Sequence, residues 1–280
     1  MHGNNVRKWY CLPLFLLAGL LTVCSNDLLG LLRSNDLDER LQERDNFHFV
    51  NAEKLNWGDE YSFIIVSDTH IENKNAFGLE KLKEVIAKDD TIKFVVVNGD
   101  ITQNGAEEDM QKFLEIARSF SDDTRRVPCY PVIGNHDIYF DNWEIWKKYI
   151  GSTRYQIDDG DSTTLFILDT ANAYFGRAQL KWLESEIKSA NSRVFVFTHA
   201  NLFVKHSVKL QQLTDPKERA RVCSILRGRA EAMFTGHSHA RDERTVDGVQ
   251  YITIDDFVGK RVYCTVTVKR DSISYKYEKL

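Results

Sequence analysis

Seven side chains of metal-ligating type recur just beyond short apolar runs: Asp68 and His70, Asp100, Asn135, His199, and His237 with His239. Imidazole, carboxylate and amide without a thiolate suit Mn²⁺, Fe²⁺/³⁺ or Zn²⁺ better than Cu(I) or an iron–sulfur cluster. Seven ligands exceed the four of a tetrahedral zinc. The set therefore implies two ions about 3.5–4 Å apart that share one carboxylate, an arrangement suited to activating water. Asp100 fits the shared position, because Gly99 before it lets the backbone approach closely while both carboxylate oxygens point outward. Singly, each residue has a plainer reading: a His beside a strand can be structural, and Asp100 or Asn135 can serve a turn. Jointly, such groups at five separate run ends argue for one site.

The elements that must position these residues are legible. Apolar runs at 63–66, 94–97, 130–133, 164–168, 194–198 and 232–235 suit strands buried on both faces. Between them, Leu79, Leu82, Val85 and Ile86, then Phe113, Leu114 and Ile116, then Leu180, Leu183 and Ile187 mark amphipathic helices. The tail reads as antiparallel strands over 249–254, 261–268 and 272–277, with turn signals at Asp247-Gly248 and Arg270-Asp271. The alternation is that of an α/β fold, in which ligands gather beyond the carboxyl ends of strands. Five of the eight histidines stand at such ends.

With 280 residues, 42% hydrophobic and 28% charged, the chain has an ordinary globular composition, and its formal charge of −4 offers no basic footprint for nucleic acid. The N-terminus differs. Arg7 and Lys8 precede an apolar run over 9–21, broken at Ser25-Asn26-Asp27 and too short for a spanning helix, which is the layout of a secretory signal over 1–24. Leu21-Thr22-Val23-Cys24 resembles a bacterial lipoprotein signal, although Val23 stands where a small residue is usual. The expectation is export to the cell envelope with a lipid anchor on Cys24; simple cleavage near Ser25 and an uncleaved anchor are the alternatives. Residues 25–57 read as a tether or short packing helix, with Ser34 as N-cap and Leu37 and Leu41 on one face, and 58–280 as the catalytic domain. Cys129, Cys223 and Cys264 lack metal spacing and read as packing residues.

The blocks Asp68-x-His70, Gly99-Asp100, Gly134-Asn135-His136-Asp137, His199 and Gly236-His237-Ser238-His239 resemble those of the calcineurin-like metallophosphoesterases, over about 63–239. The resemblance implies a four-layer αββα sandwich of two mixed β-sheets flanked by helices. It implies one ion held by Asp68, His70, Asp100 and His239, and another by Asp100, Asn135, His199 and His237. Two cations bridged by Asp100 would supply hydroxide near neutral pH for in-line attack on phosphorus and offset the charge on the phosphoryl oxygens. The same resemblance gives His136 the role of assisting the leaving oxygen, and Asp137, next to it, would then orient its imidazole, as carboxylates commonly do.

Absent residues narrow the branch. Gln103 replaces the Tyr ligand of purple acid phosphatases, Ile101-Thr102-Gln103 departs from the protein Ser/Thr phosphatases, and His136 stands where the acyl-UDP-sugar hydrolases have Arg. What remains looks most like the small bacterial cyclic-nucleotide and glycerophosphodiester phosphodiesterases, acting on a small phosphoester. A phosphomonoesterase or pyrophosphatase, or a non-catalytic binding lipoprotein, is the alternative. Substrate choice is expected in loops at 201–212 and 141–151, where Lys205, His206 and Lys209 could meet a second phosphate.

Overall fold

The computed structural model describes residues 36–43, 55–190, 193–203, 213 and 215–280. Helices α1 (Leu37–Arg40), α2 (Leu82–Ile86), α3 (Glu107–Arg118), α4 (Trp143–Tyr149), α5 (Arg177–Glu186), α6 (Pro216–Leu226) and α7 (Phe257–Lys260) surround eleven strands. These are β1 (Tyr61–Val66), β2 (Ile92–Asn98), β3 (Cys129–Val132), β4 (Tyr155–Asp158), β5 (Thr163–Ile167) and β6 (Arg193–Phe197). They continue with β7 (Ala232–Thr235), β8 (Asp242–Val246), β9 (Val249–Thr253), β10 (Val262–Lys269) and β11 (Ser272–Lys279). One sheet has the order β11-β10-β1-β2-β3 and the other β4-β5-β6-β7-β9-β8. Both are mixed: β1, β2 and β3 run parallel, as do β5, β6, β7 and β9, while the outer strands are antiparallel.

The two-residue period of a strand explains the layering. In β1, Tyr61, Phe63 and Ile65 face the space between the sheets, and Ile64 and Val66 face the helices. In β6, Phe195 and Phe197 point inward and Val194 and Val196 outward. The inner layer is aromatic, with Phe63 stacked on Phe94 at 4.7 Å and Phe197 on Phe234 at 5.3 Å. Helices α3 and α4 cover the first sheet and α5 and α6 the second, giving the four-layer sandwich that the resemblance implied.

The tail departs from the expectation of one antiparallel set. β9 joins the second sheet parallel to β7, whereas β10 and β11 complete the first. A hairpin at Asp247-Gly248 exists, but its first strand, β8, was illegible because its Asp-Glu-Arg-Thr-Val sequence lies on an open edge. The span 141–151, read as a loop, contains α4, which buries Trp143 and Trp146 at helical spacing. Near the N-terminus a packing helix is present: Leu37 and Leu41 are buried, and Asp36 caps α1 by accepting from Asp38 N at 3.3 Å. Ser34, the signal at 1–24, Cys24 and the loop residues Lys205, His206 and Lys209 lie outside the described residues. Among the described residues Cys129 and Cys264 are buried, Cys223 is half-buried, and all three are free thiols.

Candidate metal centre

Parallel strands bring their carboxyl ends to one edge, and here the two sheets present that edge together. Asp68 and His70 follow β1, Asp100 follows β2, Asn135 follows β3, His199 follows β6, and His237 and His239 follow β7. The seam between sheets is hydrogen-bonded. Asn98 at the end of β2 donates from Nδ2 to Thr198 O at 3.1 Å, and its own carbonyl accepts from His199 Nδ1 at 3.0 Å. A carbonyl can only accept, so His199 carries a proton on Nδ1 and turns Nε2 into the site.

Asp68, His70, Asp100, His237 and His239 have φ of 55°, 44°, 49°, 68° and 52°. Left-handed backbone at a residue with a side chain costs about 1–2 kcal/mol, and such strain collects where the fold dictates a side chain's direction. Close packing also selects the neighbouring glycines: a Cβ on Gly134 would lie 2.1 Å from Asp100 N, and one on Gly99 would lie 2.2 Å from His199 Nδ1.

The candidate ligand atoms form two groups, Asp68 with His70 and His239, and Asp100 with His199 and His237, each with its atoms within 4.8 Å of one another. Asp68 Oδ1 is 3.2 Å from His239 Nε2 and 4.0 Å from His70 Nε2. Asp100 Oδ2 is 3.1 Å from His199 Nε2, 3.9 Å from His70 Nε2 and 4.0 Å from His136 Nε2. Only this one oxygen of Asp100 faces the cluster; Oδ1 accepts from His136 N at 2.9 Å, so the expectation of two outward oxygens is corrected by a backbone donor. Buried Asp68 Oδ1 and His199 Nε2, both facing the cluster, lack hydrogen-bond partners. Buried polar atoms are normally satisfied, and convergent unsatisfied nitrogen and oxygen ligands fit cations. Asn135 donates from Nδ2 to Tyr139 OH at 2.9 Å, which leaves its side-chain oxygen as the candidate ligating atom.

Electrostatics agree. Burial alone would raise the Asp68 carboxyl, yet His239 and His199 hold it at about 2. Asp100 is likewise buried but kept well below the usual carboxylate range by His199 and His136. Burial pulls His199 down, and the Asp100 and Asp68 charges carry it up to about 9. Two anionic carboxylates without solvent thus form a strong attraction for cations.

Two residues depart from their expected roles or surroundings. Asp137 does not orient His136: its carboxylate accepts from Gly134 N (2.9 Å), Thr102 N (2.9 Å), Thr102 Oγ1 (3.1 Å) and Ile101 N (3.2 Å), tying the β2 and β3 loops together. Burial and the Asp100 charge push it up to about 6 despite these donors. The imidazole is instead held by Gln103 O, 2.7 Å from His136 Nδ1, and by the Tyr139 ring at 4.5 Å. His136 also groups with His70 and Asp100 in a third set of candidate ligands. Ser67, whose Oγ is 2.5 Å from Asp68 Oδ2, and Asn98, Gln103 and Tyr139 were not found from sequence, since they act through a backbone carbonyl or a contact that spacing does not encode.

The family model described as Calcineurin-like phosphoesterase matches residues 61–241, more than half of the chain. A curated relative from Fibrobacter succinogenes, described as a probable cyclic nucleotide phosphodiesterase, is 28% identical over 150 residues. That match covers 51% of this chain and 52% of the relative, so the chain spans about half the relative's length. A dimetal phosphatase from Danio rerio has a TM-score of 0.61 at 15% identity over 78% of this chain and 95% of its own. The GAP50 anchor of the Plasmodium inner membrane complex gives 0.62 at 11% identity over 79% of this chain and 85% of its own. A purple acid phosphatase from yellow lupin gives 0.61 at 13% identity over 80% of this chain and 52% of its own. At these identities the solved structures share the fold.

Proposed function

The chain belongs to the calcineurin-like phosphoesterase family and is a phosphoric ester hydrolase, and on that premise we propose that it cleaves small phosphodiesters. The observation that carries the site is the convergence of Asp68, His70 and His239, and of Asp100, His199 and His237, at one edge shared by both sheets. In this reading Asp68, His70, Asp100 and His239 hold one ion, and Asp100, Asn135, His199 and His237 the other. Two such ions, Mn, Fe or Zn by ligand chemistry, would, when bound, acidify a water for in-line attack and place positive charge beside the phosphoryl oxygens.

The chain's own groups do the rest. Asn98 O fixes the His199 tautomer, and Tyr139 OH orients the Asn135 amide. Gln103 O holds the His136 proton on Nδ1, so Nε2 is the atom available to the departing oxygen once protonated. The His136 side chain is 21% exposed and that of His239 46%, against 1% for His199, so substrate approaches from the His136 and His239 side. The likeness to the Fibrobacter relative supports a diester over a monoester.

Full-length protein loaded with Mn²⁺ and assayed on matched mono- and diesters, cyclic nucleotides, glycerophosphodiesters and pyrophosphates tests this. A kcat/KM at least about tenfold higher on diesters, equivalent to 1.4 kcal/mol in transition-state binding, is expected. Preference for monoesters or pyrophosphates would overturn the diesterase reading while leaving the hydrolase intact.

A further inference from the structure

Helices α5 and α6 flank a groove of about 530 Å³ lined by Arg177, Leu180, Lys181, Lys217, Glu218 and Arg221. All four cations are exposed, while Leu180 is buried beneath them. The nearby carboxylates are engaged. Glu218 accepts from Phe175 N at 2.8 Å and Gly176 N at 2.9 Å, Glu184 pairs with Arg221, and Asp215 caps α6 by accepting from Lys217 N at 2.8 Å. Among the described residues, Arg177, Lys181 and the Lys217 ammonium have no ion-pair partner. In a chain of formal charge −4, this is a concentrated cationic surface.

A second observation says what lies against it. Asp36 accepts from Tyr174 OH at 2.9 Å, and Leu37 Cδ2 is 2.9 Å from where a Cβ on Gly176 would stand. Gly176 immediately precedes Arg177, so Asp36 and Leu37 pack beside the residue that begins α5 and lines this groove. The twelve residues 25–36 span at most about 43 Å when fully extended, and need not be extended to keep the groove close to whatever holds residue 24. Tyr174, 37% exposed, is one of two exposed large hydrophobic side chains among the described residues, and it stands beside Gly176.

We propose that the groove between α5 and α6 is a docking surface for an anionic phospholipid bilayer. The proposal goes beyond the hydrolytic reading and rests, for its source of proximity, on membrane attachment through the N-terminus. Guanidinium and ammonium groups engage headgroup phosphates, and the Tyr174 ring sits at the headgroup level, where amphipathic aromatics concentrate.

Hydrogen exchange on the purified full chain tests it, with vesicles of phosphatidylcholine alone or with about one third phosphatidylglycerol. Protection over 174–182 and 215–222 is expected on the anionic vesicles and not on the neutral ones. The triple variant Arg177→Glu, Lys181→Glu, Lys217→Glu should lose it, as should wild type in high salt, with turnover of a soluble nitrophenyl ester unchanged. Lys181→Glu alone, should the triple variant fold poorly, should reduce the protection. Equal protection on both vesicle types would mean that tethering alone brings the surfaces together, and absence of protection on both would remove the surface from contact; either result overturns the proposal. Vesicle flotation of the same samples reports N-terminal attachment separately. A chain that does not float with neutral vesicles contradicts the anchor, while protection confined to anionic vesicles would still support the groove.

Discussion

Asp100 Oδ2 is the oxygen on which His199, His70 and His136 converge, at 3.1, 3.9 and 4.0 Å. Among the described residues no other candidate ligand stands in both an Asp100–His199–His237 group and a group with His70, so its replacement should disturb both ions. Asp100→Asn is expected to lower turnover on the order of 10³-fold or more and to reduce the metal content below two ions per chain by elemental analysis. Two retained ions with near-wild-type turnover would contradict the bridge. His136 makes a different prediction, because its Nδ1 is occupied by Gln103 O and only Nε2 can serve the leaving oxygen. His136→Ala should keep both ions and lose about 10²–10⁴-fold in kcat on an alkyl diester, with a smaller loss on a nitrophenyl ester, whose leaving group departs without a proton. Equal losses would instead assign the imidazole to the phosphoryl oxygens, and a lost ion would make it a ligand.

Helix α1 is only four residues long, and propensity cannot account for it. It is held by tertiary contacts: Arg40, fully buried, donates from Nε to Asp169 Oδ2 at 2.8 Å and from Nη2 to Asp169 Oδ1 at 3.0 Å and Asn172 Oδ1 at 2.6 Å. Asp169 lies just beyond β5 and also accepts from Ala171 N at 3.0 Å, while Gln179 of α5 brackets its backbone from both sides. The pair thus fastens the N-terminal segment to the β5–α5 connection. Breaking a buried pair from one side leaves an uncompensated charge, typically costing about 3–5 kcal/mol. Arg40→Met should lose stability of that order in urea unfolding, and Arg40→Met combined with Asp169→Asn should lose less than Arg40→Met alone. A double variant less stable than the single one would show that packing, rather than the stranded carboxylate, sets the cost.

For the molecule as a whole, left-handed backbone at five candidate ligands opposes folding in the absence of cations. Ions that bind the native state stabilise it by mass action, about 2.7 kcal/mol at a hundredfold excess over Kd. Chelation should therefore lower the thermal midpoint as well as abolish hydrolysis, and Mn²⁺ should restore both. A midpoint unchanged by chelator would show that the site folds with no help from metal. Among the described residues no helix is long and apolar enough to cross a membrane, and we propose attachment through a lipidated Cys24 in the cell envelope. Wild type should then fractionate with membranes, and Cys24→Ser should be released or accumulate as precursor; wholly soluble wild type beginning at Asn26 would establish ordinary cleavage instead.

The chemistry was legible because ligands cluster beyond strands and strands announce themselves as apolar runs: 232–235 coincides with β7, and the other runs differ by a residue or two at their ends. Even the short helix with Leu37 and Leu41 on one face was foreseeable from spacing. Spacing along the chain does not state which atom a side chain will meet across the fold. The bond that holds His136 comes from a carbonyl 33 residues away, and the partner of Arg40 is 129 residues distant. Asp137 was misassigned for that reason: adjacency suggested the imidazole, while the nearer backbone donors of Ile101, Thr102 and Gly134 took its oxygens. The edge strands β4 and β8 carried too little apolar signal, one face of each being solvent-facing or the whole strand polar. Sequence by itself determined the candidate ligand types, their order and the strands that carry them, since those follow from local periodicity. The tertiary structure decided the tautomers, the single inward oxygen of Asp100 and the split of the tail between two sheets, because each depends on contacts made only when distant segments share a core.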